Sequence, residues 1–307
     1  MDQKINQTYQ DIKELRVQGA TDVARATLSA LQEYGQRVAA EDRSEWQEKM
    51  TAAAERLLSA RPTEPLAQNG VQYLWSVLES VKKLKLVRQS LEKAVDDFML
   101  LIQDSKDLIA TNGQNLIKEN DKIFVHCHSS SVVNILRRAF NNGEEFEVFN
   151  SETRPLYQGR ITAQELTEIG ISVTMVVDSA VSYFISSQTG EEYDMDMFLI
   201  GADALLKDGS TYNKIGSYGM SLAAEHSEVP VYIAASLLKF YPAEKIEIEK
   251  RDPAEIWPEA PEKVNIINYA FDEVFQEGIT GIITEAGVIK PEEVRKKAYS
   301  LYPWLKK

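Results

Sequence analysis

The stretch KIFVHCHSSS, residues 122–131, holds the only cysteine of the chain, Cys127, between two of its three histidines, His126 and His128. A thiol ending an apolar run, with hydroxyl residues next, has three chemical readings: metal ligand, nucleophile or proton-transfer group. The zinc reading fails on spacing. On an extended segment His126 and His128 point together and Cys127 points away. The third histidine, His226, sits in a helical pattern, and there is no second cysteine. No metal site is expected. Ser129, Ser130 or Ser131 would cap the following helix and leave backbone N–H groups for an anion. A thiol beside such a helix start leans toward thiolate. A buried cysteine with capping serines is the plain alternative.

Four other stretches offer partners. In NSETRPLYQGR, Arg154 could grip a phosphate bidentately or simply pair with Glu152, with Gln158 just beyond. In DMFLIGADALLKDGSTYNKIG, Asp203 follows an apolar strand and Gly-Ala, so its carboxylate should be enclosed and in need of a partner. Asn213 and Lys214 then precede a helix, a placement that suits a phosphate. Lys239 comes soon after the apolar PVYIAAS and either reaches an anion or extends to water. In the earlier, helical part, Gly19-Ala20 interrupts a helix that restarts with Thr21 as cap, and Arg61 lies in the proline-stiffened ARPTEP. Asp178, after VTMVV, reads as a helix cap.

The elements that must carry these residues change character along the chain. Residues 1–118 show apolar positions at three- and four-residue intervals, with Ala, Leu, Glu, Gln and Lys dominant, and read as a helical domain of about five helices. From 119 to 307, short β-rich runs (KIFVHC, EFEVFN, ISVTMVV, DMFLIGAD, PVYIAAS, GIITEAG) alternate with helical patterns. That alternation predicts an α/β, Rossmann-like domain with a mainly parallel sheet, whose ligands bind where strands end.

The totals set outer bounds. With 307 residues, 44% hydrophobic and 26% charged, the chain is of ordinary globular composition. Its net charge of -13 speaks against binding nucleic acid through phosphate neutralisation. No apolar run is long enough for a membrane span, and MDQKINQTYQ lacks a secretory pattern, so a cytoplasmic, non-membrane protein is expected.

Taken together, HCHSSS, SETRPLYQGRITAQEL, VVDSAVSYFI, IGADALLKDGSTYNKIGSYGMSLAA and AASLLKFYP resemble the Rossmann-like domain of one family. It comprises the regulatory subunits of translation initiation factor 2B, methylthioribose-1-phosphate isomerases and archaeal-type ribose-1,5-bisphosphate isomerases. The matching stretches run in order from LRVQGAT to ITEAGVIKPEE. The resemblance implies Cys127 and Asp203 as catalytic residues, since regulatory subunits commonly lack the cysteine. It implies substrate and phosphate contacts at Gly19, Ala20, Arg61, Ser129, Arg154, Gln158, Asn213, Lys214 and Lys239, and no cofactor. The implied activity is aldose–ketose isomerisation of a phosphorylated pentose, nearest to ribose 1,5-bisphosphate becoming ribulose 1,5-bisphosphate. Asp203 would move protons at the ring oxygen or hydroxyls, and Cys127 at C1 or C2. The rival is a non-catalytic initiation-factor-2B-like subunit that senses a nucleotide or sugar phosphate. Family members pair through the C-terminal domain, and some stack into hexamers. Two positions depart from the bisphosphate isomerases: Gln18 replaces an arginine and Ser130 a lysine. Either the substrate carries one phosphate or Lys214 and Lys239 suffice.

Overall fold

Five α-helices precede the first strand among the described residues, which are 2–186, 190 and 193–306 of the computed structural model. They are α1 (Gln3–Lys13), α2 (Ala20–Arg37), α3 (Arg43–Leu58), α4 (Pro65–Leu78) and α5 (Leu84–Gln114). Each buries one apolar stripe; on α2 it comprises Val23, Ala24, Leu28 and Leu31. Trp46 on α3 is fully buried and gives its indole N–H to the Gly35 carbonyl at 2.9 Å, so its polar edge is satisfied. By contacts the chain divides into two units. One is Met1–Asp104 with Leu238–Phe240 and Ala298–Lys307; the other is Ser105–Leu237 with Tyr241–Lys297.

The second unit is built on a seven-stranded sheet. In chain order its elements are β1 (Lys122–His126), α6 (Ser130–Asn141), β2 (Glu147–Ser151), α7 (Gln158–Glu168), β3 (Val173–Val176), α8 (Val181–Ile185), β4 (Met197–Gly201), β5 (Ala204–Leu205), β6 (Thr211–Lys214), α9 (Ser217–His226), β7 (Val231–Ala234), β8 (Phe271–Val274), β9 (Gly281–Thr284) and β10 (Gly287–Ile289); α10 (Val294–Leu301) follows. The sheet order is β10-β9-β7-β4-β1-β2-β3, with only β10 antiparallel to its neighbour. The near-continuous Val, Ile and Phe of β1 and β4 follow from burial on both faces. On one face, Val132, Val133, Ile135, Leu136 and Ala139 of α6 share a core with Ile123, Val125, Val148 and Leu199. The β3 edge is more open, with Thr174 and Met175 exposed.

A small antiparallel sheet, β5-β6-β8, stands apart from the main one. The polar run TYNK forms its central strand, all four residues buried. Asn213 and Lys214 therefore lie in a strand, and the helix after them starts only at Ser217. β6 pairs with β5 nearby and with β8 some sixty residues on, from Thr211↔Val274 to Lys214↔Phe271.

Candidate active site

The strand order reverses between β1 and β4. From β1 the chain proceeds outward through β2 and β3, and from β4 outward through β7 and β9. Such a switch point opens a crevice at the carboxyl ends of the two strands. β1 and β4 run in parallel register, Ile123↔Met197 to His126↔Ile200. Cys127 thus leaves one strand and Asp203 the other at the same end of the sheet.

Cys127 leaves β1 with φ 68°, in the left-handed region that residues other than glycine seldom occupy. Its backbone N–H donates to Thr153 Oγ1 at 3.0 Å, and its carbonyl accepts from Thr162 Oγ1 at 3.0 Å. The thiol points to Gln158 Oε1 at 3.6 Å. Strand alternation does not survive this turn. His126 bonds Ser151 and Ile215, while His128 bonds Thr162 Oγ1 at 3.1 Å, so the histidines diverge. Burial pushes the Cys127 thiol up to about 11; the nearby Lys214 ammonium opposes this and the Asp203 and Asp178 carboxylates reinforce it. The expected tilt toward thiolate is corrected here, because desolvation outweighs the helix start and the lysine. Cys127 is a proton-holding thiol at neutral pH.

The loop after β2 is shaped by a carboxylate from further along the chain. Asp178 accepts from the N–H of Thr153 at 2.8 Å and of Arg154 at 2.6 Å. It does not cap its own helix, since neither the 3-10 turn Asp178–Ala180 nor α8 has a side-chain cap. Thr153 and Tyr157 are also left-handed, at φ 62° and 55°, and the Arg154-Pro155 peptide is cis. Glu152 pairs with Arg160 at 3.0 Å rather than with Arg154, because the first turn of α7 brings Arg160 back over it. Arg154 instead donates to the Tyr157 hydroxyl and, at 3.1 Å, to the Ile256 carbonyl. Gly159 lets α7 start against β2: a Cβ there would lie 1.8 Å from the Ser151 carbonyl oxygen.

Asp203 is half-buried, its N–H bonded to the Tyr212 carbonyl at 2.8 Å. Among the described residues nothing donates to its carboxylate. Lys214 is 8% exposed, and no carboxylate among the described residues pairs with it; its ammonium lies 5.0 Å from the Phe271 ring centre. A buried cation without a counter-ion is costly, and an anionic ligand would offset that cost. Asn213 donates to Ser217 Oγ at 2.9 Å, and Ser217 Oγ donates to the Lys214 carbonyl at 2.8 Å, which holds the end of β6. Ser129 is the cap of α6. Gly201 makes room for it, since a Cβ at 201 would sit 2.6 Å from the serine hydroxyl.

Cys127, Ser129, Arg154, Gln158, Asp203, Asn213 and Lys214 all belong to the sheet-bearing unit. The remaining four belong to the other unit. Gly19, at φ 79°, is the residue before α2, and Ala20 is its first; Thr21 lies inside the helix and caps nothing. Arg61 is buried against Glu64 at 3.0 Å. Lys239 ends the 3-10 turn Leu237–Lys239, and the carbonyls on either side of it, of Leu238 and Phe240, both accept from Asn69, at 2.8 and 2.8 Å. Sequence reasoning overlooked Thr153, Thr162, His126 and the true task of Asp178. The one available signal was polar residues placed where strands of a buried sheet end.

A parallel sheet with a thiol and an acid leaving adjacent strands at its switch point defines a Rossmann-like protein. The chain belongs to the initiation factor 2 subunit family, whose sequence model matches residues 16–291. It is 36% identical to the ribose 1,5-bisphosphate isomerase of Methanocaldococcus jannaschii, over 99% of this chain and 97% of that protein. It is 34% identical to the Archaeoglobus fulgidus protein of the same name, over 94% and 91%. Among solved structures, the translation initiation factor eIF-2B of Pyrococcus horikoshii superposes with a TM-score of 0.82 at 26% identity, covering 95% of this chain and 98% of that one. Among the described residues no helix is long and apolar enough to cross a membrane, and no three His, Cys, Asp or Glu gather as metal ligands.

Proposed function

We propose that the protein is an aldose–ketose isomerase that converts ribose 1,5-bisphosphate into ribulose 1,5-bisphosphate in the cytoplasm. The observation that carries this reading is the exit of Cys127 and Asp203 from adjacent parallel strands at the switch point, with Lys214 buried beside the thiol. Similarity to the two archaeal isomerases, over nearly the whole chain, supports the substrate.

In a pentose 1-phosphate the C1 oxygen is esterified, so the ring cannot open by losing a C1 hydroxyl proton. Opening needs a proton delivered to the ring oxygen, and ketose formation needs one removed from the C2 hydroxyl. Because burial keeps its proton, the thiol of Cys127 is suited to the first as well as to proton movement at C1 or C2, and the Asp203 carboxylate, to which nothing among the described residues donates, to the second. The hydrogen on C2 then reaches C1 either through the sulfur or directly as hydride. Lys214, Arg154 and the amides at the starts of α6 and α7 anchor phosphate, with Arg154 exchanging its Tyr157 and Ile256 partners for the ligand.

NMR of the product formed from ribose 1,5-bisphosphate tests the assignment, with pentose monophosphates as alternatives because Gln18 and Ser130 remove two cations. Ribose deuterated at C2 separates the routes: a label retained on C1 means hydride shift, and a label lost to water means transfer through a protein group. The second reading, a subunit of an initiation-factor-2B-like assembly, is favoured by the 0.82 TM-score to the Pyrococcus protein. Capture of translation initiation factor 2 by a chain without isomerase activity would establish it instead. A homodimer, stacking further into hexamers, accompanies the proposal; Tyr218, Leu222 and Phe275 leave an exposed apolar surface for it, and sedimentation measures it.

A further inference from the structure

His126 plays no part in the chemistry above, yet it is 3% exposed and touches two other segments of the site. Its Nε2 lies 3.0 Å from the Ile215 carbonyl, which can only accept, so Nε2 carries the hydrogen. Its Nδ1 lies 2.6 Å from Ser151 Oγ. Burial lowers the ring to about 4, so it is neutral and Nδ1 accepts from the serine. Ser151 Oγ is 3.1 Å from Thr153 Oγ1, the atom that receives the Cys127 N–H. The serine hydrogen is committed to His126, so the Thr153 hydrogen goes to Ser151, to its Oγ at 3.1 Å or its carbonyl at 3.4 Å. A chain of contacts therefore runs from the Cys127 peptide through Thr153 and Ser151 to the ring, and on to the residue after Lys214. The ring also packs against Gly216, where a Cβ would come within 3.3 Å of Nε2.

We infer that His126 is a positioning residue with two separable arms: Nδ1, acting through Ser151 and Thr153, sets the thiol of Cys127, and Nε2, acting through Ile215, sets the ammonium of Lys214. The inference rests on the proposed roles of Cys127 in turnover and Lys214 in anion binding. A histidine that merely filled space would need neither bond, and both are made by a ring whose two nitrogens face the end of β2 and the turn after β6.

The two nitrogens can be mimicked one at a time. An asparagine amide takes the place of Nδ1 but falls short of Ile215; a glutamine amide reaches Ile215 but leaves Ser151. Steady-state kinetics of the full chain on ribose 1,5-bisphosphate should split accordingly. His126→Asn should raise KM about tenfold with kcat held within about twofold, and His126→Gln should lower kcat about tenfold with KM held. Ser151→Ala, which removes one hydroxyl and leaves the ring in place, should repeat the glutamine pattern. It carries the test if the histidine variants do not fold, and an unchanged kcat there overturns the inference. Equal losses in both constants for Asn and Gln, or wild-type constants in both, also overturn it. Cys127→Ser and Lys214→Met serve as references. If they lose turnover and binding respectively while the His126 variants do not split, the positioning role alone fails. If Cys127→Ser turns over normally, the functional reading fails and takes the inference with it.

Discussion

The backbone at Cys127 is tied on both sides by threonine hydroxyls, at 3.0 Å each, whereas Asp203, one strand away, is tied among the described residues only through its N–H at 2.8 Å. Sulfur is a poor hydrogen-bonding atom, and contacts to it such as the 3.6 Å approach to Gln158 orient it weakly. A thiol that must meet one atom of a sugar is therefore placed by its main chain. A carboxylate has several strong acceptor sites, and a reactive one is most useful when the protein leaves them for the substrate. The two corners follow opposite rules for that reason: the weak group is over-determined and the strong one is left open.

The contrast breaks most completely at the reacting atoms. Cys127→Ser and Asp203→Asn should each lower kcat by about a thousandfold, within the range of a lost proton-transfer group, while calorimetry still detects substrate binding. An unchanged kcat in either variant removes that residue from the reaction. The thiol gives a pH test too. Because burial holds its proton up to about 11, alkylation by iodoacetamide should climb with pH through the neutral range and level off only near that value. A plateau near pH 8 would show a thiolate and refute the acid role.

A smaller effect comes from the ring behind the thiol. His126 falls from 6.5 to about 4 in the fold, mainly through burial, with Asp178 favouring and Lys214 opposing its charge. Between those values the unfolded chain binds a proton that the folded chain refuses, so stability is lost as pH falls from 6.5 toward 4. The loss should reach about 3 kcal/mol, read from urea midpoints, and His126→Gln should flatten it. Next comes Asp178→Asn. Two backbone N–H groups lose a charged acceptor, and stability should drop by about 2 kcal/mol with a matching fall in kcat. Thr162→Val, which removes the bond to the Cys127 carbonyl and the contact with His128 Nδ1, should cost about 1–2 kcal/mol. If Thr162→Val proves as damaging to kcat as Cys127→Ser, the tether is part of the chemistry and the contrast drawn above is wrong.

Much of this arrangement could be read from the chain before folding. β1, β4 and β7 announce themselves as β-branched and aromatic runs because parallel strands covered on both faces have no polar side. Ligands of such sheets bind just past the strand ends, and Cys127, Ser129 and Asp203 stand there. Long-range geometry was hidden. TYNK has no strand-like alternation, and its partner FDEV lies far along the chain, so β6 read as the approach to a helix. Asp178 acts on N–H groups 24 and 25 residues earlier, which local rules that assign it to the next helix cannot anticipate. Alternation along an extended segment sets both histidines on one face, but a single left-handed residue, Cys127, ends it.

The tethers of residue 127 grip only its peptide groups, through Thr153 and Thr162. Whatever atom replaces the sulfur, the loop keeps its course, so a chemically silent variant such as Cys127→Ala should preserve the crevice and accept the sugar without consuming it. Crystals of that variant grown with ribose 1,5-bisphosphate offer a direct view of the unreacted complex.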